Sequence, residues 1–315
     1  MTTSKLSRFA PALWSVLIFT IAQALTFVAA FRINPFLKES LIYVPPQSPE
    51  SIPIFPQPLP PTPPGQTPAP PVNSLGPILL YFIILIGVLG ILLFIVPVSA
   101  LRMLLRILFG VLFSWGTFIL LILWFPVAVA LPTAVVVGLA WFFLTRVWLH
   151  NIVMILALVA LGAVFGRLIS PWTAMILVAV LAIYDFLAVR FGYMLWMAKK
   201  LTESSTLPAF IIPHRTSDWN GNLKQSAFTK LTDEASFERK YSILGGGDIG
   251  FPLLLTSSTY FGYGLNPSIL VAGLSLVGLL GAYAIQTFIL KGKPMPALPP
   301  IAVLCLIALL IVRFC

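Results

Sequence analysis

The chain has 315 residues, 59% of them hydrophobic and only 9% charged, with a net charge of +10. Its mean hydropathy is +1.01. A soluble domain needs far more polar surface, so lipid is the solvent for most of the chain.

A spanning helix needs about 20 mostly apolar residues. Nine stretches read as spans: 9–31, 77–99, 104–124, 127–144, 151–166, 172–196, 243–262, 267–290 and 295–312. The expected fold class is therefore an all-α integral membrane protein with nine transmembrane helices. The first stretch exceeds a signal-peptide core and lacks a clear small-residue cleavage site, so it reads as a retained helix. Residues 32–76 follow, with 13 prolines in the 27 residues "PPQSPESIPIFPQPLPPTPPGQTPAPP". Proline fixes φ and removes backbone donors, so this loop reads as an extended spacer. The third and fourth spans are split only around Pro126 and form a tight hairpin, and the fifth is short. A second hydrophilic stretch, 199–241, contains "TLPAFIIPHR" and "SFERKYSIL", whose short apolar or β-branched runs suit strands within a partly ordered loop. The chain divides into 1–170, carrying spans one to five, and 171–315, carrying spans six to nine.

With the N-terminus inside, 15 of the 19 Lys and Arg residues fall on the cytoplasmic side, many of them in 199–241. Positive charge stays on that side. The excess charge sets topology and gives no case for nucleic acid. The N-terminus is expected inside, and the Pro-rich loop and the C-terminus outside.

Cys305 and Cys315 both lie at the last span and match no metal spacing, and the only histidines are His150 and His214. No H-E-x-x-H exists, and no G-x-S-G nucleophile with a partner histidine. Neither a metal nor another cofactor is expected.

Nine acidic residues exist, and only Asp185 and Asp248 fall inside apolar spans. A charge at the bilayer centre costs at least ~2.5–3.5 kcal/mol on the insertion scale, and such a residue is a functional candidate by default. Asp185 precedes Arg190, which can snorkel to the cytoplasmic interface, by roughly 7–8 Å of helix. Asp248 follows Lys240 and would lie roughly 12 Å deep if the intervening residues were helical. The two acids then share a depth on adjacent antiparallel helices. Two facing carboxyl groups in a low dielectric share one proton. One then serves as base on a water while the other polarises a carbonyl, which hydrolyses a peptide bond without metal. Taken alone, each acid also fits a proton relay or an ion pathway.

Three local patterns bear on that choice. They are "IYDFLAV" with Tyr184 before Asp185, "GGGDIGFP" with G-x-G-D at Gly245, Gly247 and Asp248, and "KPMPALPP" with Pro296, Ala297 and Leu298 opening the last span. In this order, on the sixth, seventh and ninth spans, they resemble the presenilin and signal peptide peptidase family of intramembrane aspartyl proteases. The resemblance covers roughly 172–312; the first 150 residues match in architecture alone. It implies a catalytic pair, Asp185 and Asp248, and a substrate-positioning set of Tyr184, Gly245, Gly247, Pro296, Ala297 and Leu298. It makes 171–315 the catalytic part. Each pattern also has a physical reading. Glycine admits close approach of helices or substrate backbone. Pro294, Pro296, Pro299 and Pro300 break a helix start, and non-helical backbone at membrane depth lines a cavity or is buried in protein.

The implied substrates are transmembrane-helix proteins in the lipid bilayer, with no nucleic acid and no obligate partner subunit expected. Such a helix must unwind to be cut, and an extended segment could pair with a strand before Asp248 or with the P-A-L edge. The small extramembrane loops suggest a free-standing microbial enzyme of the plasma membrane. The alternative of another class is a proton-coupled transporter or cation channel using the same acids. A nearer one is a prepilin peptidase, which shares G-x-G-D but is not expected to carry the other two patterns.

Overall fold

The computed structural model describes residues 3–42, scattered positions between 80 and 95, 98–192, 208–222, 241–290 and 295–314. Eight helices and one small sheet are defined among them. Helix α1 is Thr3–Ile42, α2 Val98–Ile122, α3 Val127–Phe143, α4 Val147–Leu168 and α5 Pro171–Arg190. Strands β1 (Ala209–Pro213) and β2 (Tyr241–Gly245) follow, with a 3-10 turn at Thr216–Asn220 between them. Helix α6 is Gly246–Tyr263, α7 Leu265–Ala284 with a π turn at Ile285–Ile289, and α8 Leu298–Phe314.

The boundaries follow local chemistry. Pro126 holds extended backbone ahead of α3, which makes the expected hairpin with α2. Ser170 caps α5 by accepting from the Thr173 N–H at 3.1 Å, and Pro171 occupies the first helical position. Gly264, at φ +93, turns the chain between α6 and α7, a conformation glycine adopts without steric cost.

Among the described residues, five helical stretches are long and apolar enough to cross a membrane: Ala10–Phe36, Arg102–Ile122, Val147–Leu168, Pro171–Arg190 and Leu265–Ile289. Val127–Phe143 and Leu298–Phe314 are shorter apolar helices. Exposed side chains such as Val111, Val136, Leu139, Leu168 and Val303 give the outer faces the apolar character that lipid requires. Helix α4 is central, packed against α1, α2, α6 and β1. Helix α5 packs on α6 and α8, and α7 on α6 and α8.

Several expectations need correction. The first helix runs through Ile42, so residues 32–42 of the expected loop are helical; its proline-rich remainder lies outside the described residues. So does most of the second span, of which Leu80, Ile84, Val88, Ile91 and Ile95 are helical and exposed. The fifth span is a full 22 residues. The described fold is all-helical, as expected, apart from one two-stranded sheet. Strands β1 and β2 pair antiparallel, Ala209 opposite Gly245 through Pro213 opposite Tyr241. The seventh span therefore opens as a strand, and its helix starts only at Gly246. The apolar run Phe210–Ile212 is a fully buried strand, packed on α4 with α1 and α6 beside it, which a loop reading underestimates.

Candidate active site

The sheet lies where α1, α4 and α6 begin. Trp14 of α1 meets Trp219 of the 3-10 turn edge-on, with ring centroids 5.1 Å apart. The Val147 N–H at the start of α4 donates to Gly221 O at 3.2 Å, and Arg146 Nη1 to Asn220 O at 2.6 Å. Strand β2 then runs directly into α6, so its last residue, Gly245, is also the helix N-cap.

Asp248 is the third residue of α6. It does not lie eight helical residues deep, as a continuous helix from Lys240 would require, because 241–245 is extended. Its carboxyl group accepts from the backbone N–H of Gly245. An acid at this position reaching back to the N-cap satisfies one of the donors that every helix start leaves open. Helix α5 carries Asp185 five residues before its last residue, Arg190. The Asp185 carboxyl accepts from the backbone N–H of Leu298, the first residue of α8. Pro299 and Pro300 follow and have no N–H, so Leu298 is the donor that this helix start can present beside them. The other oxygen of Asp185, Oδ2, is buried with no hydrogen-bond partner among the described residues. The two carboxyl groups are close enough for the charge of Asp185 to act on Asp248.

The remaining expected site residues fall unevenly around this pair. A Cβ on Gly245 would stand 2.9 Å from Asp248 Oδ2, so this glycine clears space for the acid itself. Gly247 is exposed, and a Cβ there would meet only the Phe251 ring, at 3.2 Å. The unsuspected position is Gly246, whose Cβ would meet Met154 Cε at 2.7 Å and the Pro208 carbonyl oxygen at 2.9 Å. Pro296 and Ala297 are half-buried, non-helical residues leading to buried Leu298. Tyr184 sits beside Asp185 with its side chain 36% exposed.

Sequence reasoning missed the polar support around the acids. Tyr283 of α7 shares a hydrogen bond with Ser15 of α1, and its phenol lies within electrostatic range of Asp248. His150 and Asn151 of α4 hold β1. The signal available was a buried polar residue within an apolar helix, which only counts once neighbours are known. Outside the membrane, burial pulls the His214 imidazole below its usual value, opposed by Asp218, and His214 Nε2 lies 3.0 Å from Ser242 Oγ. Burial, and secondarily Asp218, pushes the Tyr241 phenol up.

The family described as signal-peptide peptidase and presenilin aspartyl protease matches residues 64–314. Two crystal forms of a presenilin family intramembrane aspartate protease share this fold. One is 18% identical with a TM-score of 0.59, covering 96% of this chain and 98% of the other. The second is 18% identical with a TM-score of 0.53, covering 95% of each chain. No curated protein matches the chain. A family match over residues 64–314, most of the chain, with two acids from neighbouring helices within electrostatic range of each other, leads to one conclusion: the chain belongs to the signal-peptide peptidase and presenilin aspartyl protease family.

Proposed function

We propose that Asp185 and Asp248 are the catalytic pair of this membrane protease and that its substrates are transmembrane helices of other proteins. The observation that carries the reading is their pairing across α5 and α6, with Asp185 Oδ2 left without a partner among the described residues. Family membership favours hydrolysis, and the transporter or channel alternative has no support in it.

In this mechanism the pair holds one proton. The ionised member takes a proton from water as the water oxygen attacks the carbonyl carbon. The protonated member donates to the carbonyl oxygen. The tetrahedral adduct then collapses: the C–N bond breaks, the leaving amine takes a proton from the carboxyl that acted as base, and the adduct hydroxyl returns its proton to the carboxylate that had acted as acid. The pair returns to its singly protonated state.

The sheet supplies a route for the substrate. In an antiparallel pair, alternate residues turn their polar groups toward the partner and away from it. The Gly246 N–H donates to Pro208 O at 3.0 Å, so with the observed register the bonded pairs are Phe210 with Leu244 and Ile212 with Ser242. Ile243 then turns its N–H and carbonyl outward, and its side chain is 41% exposed. An unwound substrate segment adding to this edge would lead its backbone toward Asp248. Gly245 leaves room there, and Pro296, Ala297, Leu298 and Tyr184 complete the substrate-positioning set, Leu298 through its backbone contact with Asp185.

The wider reading follows from the sequence. Nine spans with the catalytic residues on the sixth, seventh and ninth divide the chain into 1–170 and a catalytic 171–315. The N-terminus is cytoplasmic and the C-terminus extracytoplasmic, in a microbial plasma membrane. The decisive test is purified protein with a labelled single-span peptide. Wild type is expected to cleave it, and Asp185→Asn and Asp248→Asn each to lose about 10³-fold or more. Cleavage retained in either variant overturns the assignment.

A further inference from the structure

Asn151 and His150 lie in the first two turns of α4 and are 2% and 4% exposed. Asn151 Nδ2 donates to Ile211 O at 2.7 Å, and the Ile211 N–H donates to Asn151 Oδ1 at 3.0 Å. One side-chain amide thus engages Ile211 as a neighbouring strand would. His150 Nε2 lies 2.9 Å from Ala209 O. A carbonyl only accepts, so Nε2 carries the proton. Nδ1 is then free to accept from Trp141 Nε1–H at 3.2 Å, and the tautomer is fixed from both sides.

Both contacts fall on residues whose polar groups point away from β2. Helix α4 therefore closes the outer edge of β1 with side chains. The outer edge of β2 at Ile243 is the one that leads to Gly245 and Asp248. We infer that Asn151, supported by His150, is a positioning residue for cleavage: it closes the β1 edge and fixes the register in which an extended substrate lies on β2. This rests on the protease reading above.

The physical basis is the period of a strand. A slip of one residue turns every side chain to the wrong face, so a loosened sheet slips by two. Loss of the Asn151 bonds should then move the scissile bond by two residues as well as slow the reaction. A residue that served stability alone would leave the cut in place.

The test uses purified full-length protein and one labelled single-span peptide, with products mapped by mass spectrometry. Asn151→Leu removes both bonds at similar volume. Asn151→Asp retains the acceptor for the Ile211 N–H and loses the donor. We expect Asn151→Leu to add cuts displaced by two residues and to lower kcat about tenfold with little change in KM, with Asn151→Asp intermediate. Thermal unfolding establishes that each variant is folded. An unchanged cleavage map and kcat in folded Asn151→Leu overturns the inference. Failure of both variants to fold also overturns it, since Asn151 is then a stability residue. A wild type that does not cleave, or that Asp185→Asn fails to silence, removes instead the protease reading beneath it.

Discussion

Gly245 and Asp248 are locked across a single turn. The backbone N–H of one holds the carboxyl of the other, at a distance where an added methyl group would stand 2.9 Å from Oδ2. Gly245→Ala should therefore displace the acid without unfolding the protein. A misplacement of this order costs about 10²-fold in rate. Gly247→Ala, which meets only the movable Phe251 ring, should cost less. Peptide cleavage rates for the two variants, beside their thermal midpoints, check the order.

The outward edge of β2 makes a distinction between neighbouring prolines. Ile243→Pro removes an N–H that faces away from β1, while Ser242→Pro removes one that bonds to it. If substrate pairs with this edge, Ile243→Pro loses about tenfold in kcat/KM, the equivalent of one hydrogen bond of roughly 1–1.5 kcal/mol, and stays folded. Ser242→Pro should lower the unfolding midpoint as well. Full activity in a folded Ile243→Pro would argue that the substrate enters elsewhere.

A remote glycine should affect the same chemistry. At Gly278 of α7 a Cβ would lie 2.6 Å from Ile301 Cα and 3.1 Å from Pro300 O, both backbone atoms of α8. Gly278→Ala must push α8 away, along with the Leu298 N–H that holds Asp185. The expected cost is about 1–3 kcal/mol of stability, the usual range for overpacking. Activity should fall further than instability alone explains, measured on the folded fraction well below the midpoint.

His214 carries a pH dependence whose sign follows from its depressed pKa. The folded protein resists protonating it more than the unfolded chain, whose histidines titrate near 6.5. Between those two values the unfolded chain binds more protons, so stability rises with pH there. The contribution is complete above about 6.5 and is lost as pH falls toward the folded value. His214→Gln should flatten the dependence of the unfolding midpoint below pH 6.5, compared with wild type in the same buffers.

The site was legible in proportion to how local its signal is. Asp185 and Asp248 stood out because a carboxylate inside an apolar run is costly, and P-A-L because proline breaks helices wherever it falls. The start of α5 could be read from Ser170 and Pro171. The strand at 241–245 was harder. Its apolar residues merge with those of α6, and periodicity cannot divide a short strand from the helix it feeds. Nothing local marks Asn151 as the partner of Ile211, or Ser15 as the partner of Tyr283. Those contacts join segments far apart in the chain and exist only after the helices pack.

The bond from Leu298 to Asp185 has a consequence for biogenesis. Asp185 and Asp248 are both synthesised and inserted before α8 emerges from the ribosome. Until then Asp185 lacks the backbone donor that Leu298 supplies. With these acids as the catalytic pair proposed above, a nascent chain halted ahead of α8 would carry both and is expected to be inert, so competence to cut would arrive only with α8.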